Sequence, residues 1–266
     1  MCIRDRYIFC DLDGTLYHNG VSEEDAKAVK KIEESGRIFN IATGRIFRQG
    51  YEMVKNDISL NGYFIAENGS YIYDSKLNLI FTGTLSDDLV REVIKEYEEI
   101  KNSKHIEAEI YFKFDGNMLV LNAGSAFDSY SNDFIVEPDF ANRESFDNKV
   151  GNIGFASNNP EELEEIESRL KEKLSDKLDI YFSSENTINL VPKGVAKNKA
   201  IEYVVEKEGV DPKEVATIGD SPNDISMIAG FEHGFAMANA REDVKAAAKH
   251  VVNNVAEALE IIANIK

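Results

Sequence analysis

The sequence predicts an α/β fold whose parallel-sheet core is interrupted by an inserted α+β module. Three observations carry this prediction. Near both ends of the chain, short apolar runs alternate with amphipathic stretches, the rhythm of parallel strands joined by helices. Between about residues 85 and 185 that rhythm gives way to a hairpin signal, one further strand and long helical patterns. A length of 266 residues also suits about two domains.

The elements follow in order. Tyr7 to Cys10 is an apolar run ending in acidic residues and Gly14, as a buried parallel strand ending in a loop reads. Ser22 and Asp25 form a capping box for a helix with Ala26, Val29 and Ile32 inward, stopped at Gly36. Strands are expected over 38–42 and 63–66. A helix capped by Ser86 carries Leu89, Val90, Val93, Ile94 and Tyr97 at helical spacing. Runs over 109–114 and 118–122 flank Asp115-Gly116-Asn117, a hairpin signal. Residues 124–148 are weakly periodic. A strand over 150–156 precedes a helix opened by Pro160, with Leu163, Ile166, Leu170 and Leu174 inward and charges that match the helix dipole.

The core rhythm is expected to resume at Thr187 to Val191. It continues through a helix over 196–208, a strand over 215–218, a short helix over 223–229 and a strand over 234–237. Helices near 241–248 and 255–264, with an edge strand at His250 to Val252, complete the chain. The expected domains are therefore a discontinuous core, 1–84 with 186–266, and an inserted domain, 85–185. Met1 to Arg6 is polar, resembles a translated sequencing adapter, and is left out of the fold.

Charge narrows the function. Thirty Lys and Arg face 48 Asp and Glu, a formal net charge of −18. That balance excludes a phosphate-backbone binder and an anionic-membrane docker, since both need clustered cations. No stretch resembles a membrane span or a signal peptide. The two cysteines, Cys2 and Cys10, make no disulfide scaffold, so a reducing cytoplasm is expected. Cys10 reads as a core thiol on the strand face opposite Asp11. His18, His105, His233 and His250 lack metal-ligand spacing, so no zinc site is expected. Neither a P-loop nor a dinucleotide-binding glycine pattern occurs.

Four short segments carry chemistry. Asp11-Leu12-Asp13-Gly14-Thr15-Leu16 follows the first strand, and its two carboxylates can converge beyond the strand end. Such a pair suits a hard cation with nucleophilic or acid–base work, although a solvated Asp-Gly turn reads the same way. Ala42-Thr43-Gly44-Arg45 puts a hydroxyl and a glycine where a helix begins. That is anion-binding chemistry, or a simple threonine N-cap. Lys197, after Gly194-Val195-Ala196, falls in the first turn of a helix, where a cation opposes the dipole; a lysine held over a phosphate explains that placement, although a solvated surface lysine is the more frequent case. Gly219-Asp220-Ser221-Pro222-Asn223-Asp224 places two carboxylates and an amide at another strand end. All four lie at C-terminal ends of expected parallel strands, the edge at which open α/β sheets bind ligands.

In that order, the segments resemble the motifs of the haloacid dehalogenase superfamily, and within it the Cof-like hydrolases. Glu67-Asn68-Gly69 and Met237-Ala238-Asn239-Ala240 resemble secondary marks of the same group. The resemblance runs from Tyr7 through nearly the whole chain. Asn198 departs from it, standing where glycine is frequent. The resemblance implies a Rossmann-like core with an α/β cap inserted between the second and third motifs.

It also implies roles. Asp11 would be the nucleophile that forms an aspartyl-phosphate, and Asp13 the acid–base. Thr43, Gly44, Lys197 and Asn223 would bind the phosphoryl group, and Asp224 would orient Lys197 or a metal-bound water. Mg²⁺ would be held by Asp11, by Asp220 and by the backbone carbonyl of Asp13. An acid at Asp13 serves an oxygen leaving group and has no task in expelling halide. The expected activity is thus a Mg²⁺-dependent phosphatase of small phosphorylated metabolites, such as sugar phosphates or phosphorylated cofactors. The expected assembly is a monomer or homodimer, with no nucleic acid or membrane partner. A phosphosugar mutase and a non-catalytic module phosphorylated on Asp11 are the alternatives.

Overall fold

A computed structural model describes residues 7–104, 106–127 and 133–265. Met1 to Arg6, with Cys2, and His105 lie outside the described residues. The chain divides into two compact units, one of residues up to Phe81 together with Ala196 onward, the other Thr82–Val195.

The larger unit opens with β1 (Tyr7–Cys10), α1 (Glu23–Glu34), β2 (Ile38–Ala42), α2 (Phe47–Val54) and β3 (Phe64–Ala66). At the start of α1 the Ser22 hydroxyl accepts the Asp25 N–H at 3.0 Å and donates to the Asp25 carboxylate at 2.7 Å. Asp25 also accepts the Ala256 N–H at 2.8 Å, so the cap joins distant segments. Two short strands that the sequence pattern does not announce, β4 (Tyr71–Tyr73) and β5 (Leu79–Thr82), extend the sheet.

The smaller unit contains α3 (Asp87–Lys104), β6 (Glu109–Phe114), β7 (Asn117–Val120), β8 (Ile135–Val136), β9 (Val150–Ala156), α4 (Pro160–Leu174), β10 (Leu178–Ser184) and β11 (Thr187–Pro192). Asp115 and Gly116 both adopt positive φ, the tight turn expected between β6 and β7. The sheet order is β10-β11-β9-β6-β7-β8. Val93, Tyr97, Ile166 and Leu170 of the two helices pack with Phe112, Ile153, Phe155 and Leu190 of the strands. Phe114 and Phe182 pack against this cluster, whereas Tyr111 sits in a second one with Met118, Val120 and Phe127.

One expectation is corrected here. The run Thr187 to Val191 was assigned to the core, yet β11 pairs antiparallel with both β10 and β9. It belongs to the smaller unit, which extends to Val195 instead of ending at residue 185. An apolar run reads alike in either sheet, and the two-residue link Glu185-Asn186 that folds β11 back onto β10 carries no glycine signal.

The chain then returns through α5 (Lys197–Glu208), β12 (Val215–Gly219), α6 (Ile225–Gly230), β13 (His233–Met237), α7 (Glu242–Ala247), β14 (His250–Val252) and α8 (Val255–Asn264). The eight-stranded sheet runs β14-β13-β12-β1-β2-β3-β4-β5. From β14 to β3 the pairings are parallel. Helices cover both faces. Ile8, Cys10, Phe39 and Ile218 pack with Val29, Ile32 and Leu259 on one side. Tyr7, Phe9 and Val215 pack with Ile201, Val204 and Met227 on the other. Cys10 is buried among apolar side chains, as its strand parity requires.

Asn40 ties three segments of this sheet together. Its amide donates to the carbonyls of Ile8 at 3.0 Å and Ile38 at 3.2 Å, and its oxygen accepts the Tyr63 N–H at 2.8 Å. Asn40→Ala leaves that N–H without its acceptor and is expected to cost about 1–3 kcal/mol. A urea unfolding curve with a lower midpoint and an unchanged slope would show it.

Candidate active site

The site is built at the C-terminal ends of β1, β2 and β12. The Asp11 N–H still pairs with the Ile218 carbonyl at 2.9 Å, so its carboxylate starts from a fixed strand end. Gly14 then turns the chain with φ +79°, and a Cβ there would stand 2.4 Å from Asp220 Oδ2. Glycine is required both by the turn and by this approach. Thr15, one residue on, donates its hydroxyl to Asp220 Oδ1 at 3.1 Å.

Lys197 is the first residue of α5 and is almost wholly buried, at 1 % exposure. Its Nζ donates to Asp11 Oδ1 and to Asp224 Oδ1, each at 2.6 Å. Two buried carboxylates thus compensate the cation that the helix dipole disfavours. Asp224 is fixed in turn, because its Oδ2 accepts the backbone N–H groups of Asp220 at 3.1 Å and Ser221 at 3.0 Å. That is the capping box of a short turn over Pro222–Asp224.

Charge in this cluster is unbalanced. Asp11, Asp220 and Asp224 bring ligand oxygens within 4.8 Å of one another, and one ammonium serves three carboxylates. Burial pushes the Asp11 carboxyl well above its ordinary range. Lys197 opposes that rise, and Asp224 and Asp220 reinforce it. Burial also raises Asp220, with Asp224 adding to the effect. Burial works against the Lys197 charge, but Asp11 and Asp224 outweigh it and hold its pKa above the usual lysine value. An all-oxygen donor set with surplus negative charge fits a hard divalent cation.

The other expected residues fall into two groups. Asp13 lies apart from the cluster, with its carboxylate forked by Arg45 at 2.7 and 2.8 Å. Thr43 is fully buried, and its Oγ1 accepts the Arg45 N–H at 3.1 Å. Here the structure corrects a detail: α2 begins only at Phe47, so Thr43 and Gly44 occupy a loop and not a helix N-terminus. Asn223 donates from Nδ2 to Asn68 Oδ1 at 2.9 Å. Sequence reasoning did not assign the hydroxyl of Thr15, the amide of Asn68 or the Asp13–Arg45 pair. Thr15 and Asn68 stood inside quoted motifs, and that placement was the only signal they gave.

A parallel-sheet core thus carries an acid–lysine centre at its strand ends. The chain belongs to the haloacid dehalogenase-like hydrolases, whose pattern matches residues 8–260. It is 26% identical over 241 residues to the HMP-PP phosphatase of Serratia proteamaculans, covering 88% of this chain and 84% of that one. It is also 26% identical over 250 residues to a 5-amino-6-(5-phospho-D-ribitylamino)uracil phosphatase of Bacillus subtilis, covering 93% and 90%. A crystal structure of a haloacid dehalogenase-like hydrolase from Bacteroides thetaiotaomicron superposes with a TM-score of 0.73 at 27% identity, covering 97% of this chain and 99% of that one. The resemblance read from the motifs therefore holds: the chain is an enzyme of this family, and its curated relatives carry the name phosphatase. Among the described residues no helix is long and apolar enough to cross a membrane.

The raised Asp220 gives a pH dependence with a definite sign. A carboxyl whose folded pKa lies above its unfolded value stabilises fully below the unfolded pKa, and that stability is lost as pH rises through the folded one. In chelator-treated protein, Asp220→Asn keeps the acceptor for Thr15 and removes the charge. It is expected to melt higher than wild type at about pH 7.5, with the gap closing below about pH 4. Thermal melts across that range would test it.

Proposed function

We propose that the protein is a Mg²⁺-dependent phosphatase of small phosphorylated metabolites that works through an aspartyl-phosphate on Asp11. The observation that carries this reading is the buried Lys197 clamped between Asp11 and Asp224 at 2.6 Å beside Asp220. Such a centre holds a carboxylate in one orientation at a strand end. It also keeps a cation within reach of an arriving phosphoryl group.

Asp11, Asp220 and the backbone carbonyl of Asp13 would hold the Mg²⁺, which when bound supplies positive charge against the repulsion between carboxylate and phosphate. A carboxylate oxygen of Asp11 attacks phosphorus, and the bond from phosphorus to the alcohol oxygen breaks. Asp13, in its protonated form, gives the departing oxygen its proton. Water then attacks the phosphorus of the aspartyl-phosphate, Asp13 takes the proton from that water, and inorganic phosphate leaves with Asp11 restored. Thr43, Gly44, Lys197 and Asn223 hold the non-bridging oxygens. Arg45 forks the Asp13 carboxylate at 2.7 and 2.8 Å and so fixes its orientation. An acid at Asp13 supports ester hydrolysis over halide expulsion, as the names of the curated relatives also do.

A panel of phosphomonoesters, assayed for phosphate release with Mg²⁺ and without a bisphosphate activator, tests the reading. Activity is expected on sugar phosphates or phosphorylated cofactors and is expected to vanish with chelator. Asp11→Asn is expected to lower kcat by roughly a thousandfold or more. Full turnover by that variant would refute the mechanism.

The acid role has its own signature. Asp13→Asn is expected to slow hydrolysis of alkyl phosphates by about a hundredfold or more. It is expected to slow p-nitrophenyl phosphate far less, because that leaving group departs without a proton. Equal losses on both substrates would exclude Asp13 as the acid.

A further inference from the structure

Asn68 is buried, at 2 % exposure, yet its amide is only half used. Its Oδ1 accepts Nδ2 of Asn223 at 2.9 Å, a contact between residues 155 positions apart. Among the described residues its own Nδ2 has no hydrogen-bond partner, and neither does Oδ1 of Asn223. Leaving an amide N–H₂ unpaired in the interior is costly, and few such groups occur in a folded chain.

The backbone shows how the amide is held there. Glu67, Asn68 and Gly69 take positive φ in succession, at 51°, 59° and 110°. Asparagine tolerates this left-handed region better than other side chains that reach as far. The turn is stitched to the Thr43–Arg45 loop, because the Asn68 N–H donates to the Thr43 carbonyl and the Glu67 N–H to the Arg45 carbonyl, each at 2.9 Å. The Asn68 amide consequently lies against Gly44, where a Cβ would stand 3.1 Å from its Oδ1 and 3.3 Å from its Nδ2. It therefore lies between Gly44 and Asn223, two of the groups read above as phosphoryl ligands.

We infer that Asn68 is a further phosphate-binding residue, whose Nδ2 donates to the phosphoryl oxygens while its Oδ1 orients the amide of Asn223. The inference rests on the phosphatase reading. A phosphoryl group is acceptor-only at its oxygens, so the ligand that satisfies a buried N–H₂ is also the one the neighbouring groups suit. The hydrogen bond to Asn223 consumes one of the four amide N–H groups of the pair. It also sets which end of the Asn223 amide faces Asn68.

The test uses two variants and inorganic phosphate in the presence of Mg²⁺. Asn68→Gly suits the positive φ, so the fold is retained and the amide alone is lost. Asn68→Asp keeps the acceptor for Asn223 but replaces the donor with a like charge. Dissociation constants come from phosphate-induced thermal shifts, each measured against the same variant without phosphate, and from product inhibition. Asn68→Gly is expected to weaken phosphate binding roughly tenfold or more, and Asn68→Asp more than Asn68→Gly. Wild-type affinity in Asn68→Gly would overturn the inference. So would wild-type affinity in Asn68→Asp, because the residue would then only orient Asn223. If the wild-type protein neither binds phosphate nor hydrolyses any phosphomonoester, the underlying reading fails and this inference with it. If it does both while the variants match it, Asn68 alone is excluded.

Discussion

The site depends on one buried contact, the Lys197 ammonium held between Asp11 and Asp224. Each of the three charges would be costly in the interior by itself; Lys197 is tolerable because two carboxylates reach it, and each carboxylate because Lys197 reaches it. The contact joins the end of β1, the start of α5 and the turn after β12, so these three segments cannot move independently. The rest of the site then follows. Asp224 is locked by two backbone N–H groups, Asp220 is pressed against Gly14 and Thr15, and the strand ends converge as one parallel edge.

Electrostatics looks different from what the composition suggests. With a net charge of −18, the problem for an anionic substrate is where attraction comes from, and the site offers the cations Lys197 and Arg45. The structure shows both already matched, Lys197 by two carboxylates and Arg45 by the fork on Asp13. Neither brings surplus positive charge. On the proposed reading, a phosphoryl group is met by a divalent cation, by neutral donors and by Lys197, whose charge Asp11 and Asp224 already match. The exposed ion pairs of α1 and α3 contribute little beyond solubility.

How much of this was legible follows from the range of each interaction. The apolar run Tyr7 to Cys10 ending on Asp11 and Asp13 announced a strand with acidic residues just beyond its tip, because both signals are local. The same holds for the Ser22–Asp25 cap and the turn at Asp115-Gly116. Membership of β11 was not legible, since pairing partners are set by tertiary contacts and an apolar strand of that length fits either sheet. The Asn68–Asn223 and Asp13–Arg45 pairs were hidden for the same reason: sequence separation carries no information on which polar groups a loop brings together. Thr43 was misread in one respect, because a hydroxyl that closes a loop on the Arg45 N–H looks like a helix cap until the helix is seen to begin at Phe47.

The order of strands also bears on how the protein is made. β1, which carries Asp11, lies between β2 and β12, and its register with β12 joins Tyr7 to Val215. On a ribosome β2 follows β1 within seconds, whereas β12 emerges only after the whole of Thr82–Val195. The inserted unit is contiguous and can close on itself while one edge of β1 still lacks its partner. β1 is thus completed among the last parts of the core, and its apolar edge must wait through the synthesis of another unit. Loop closure across that separation adds an entropic cost to core assembly that the pairing of β1 with β2 does not carry.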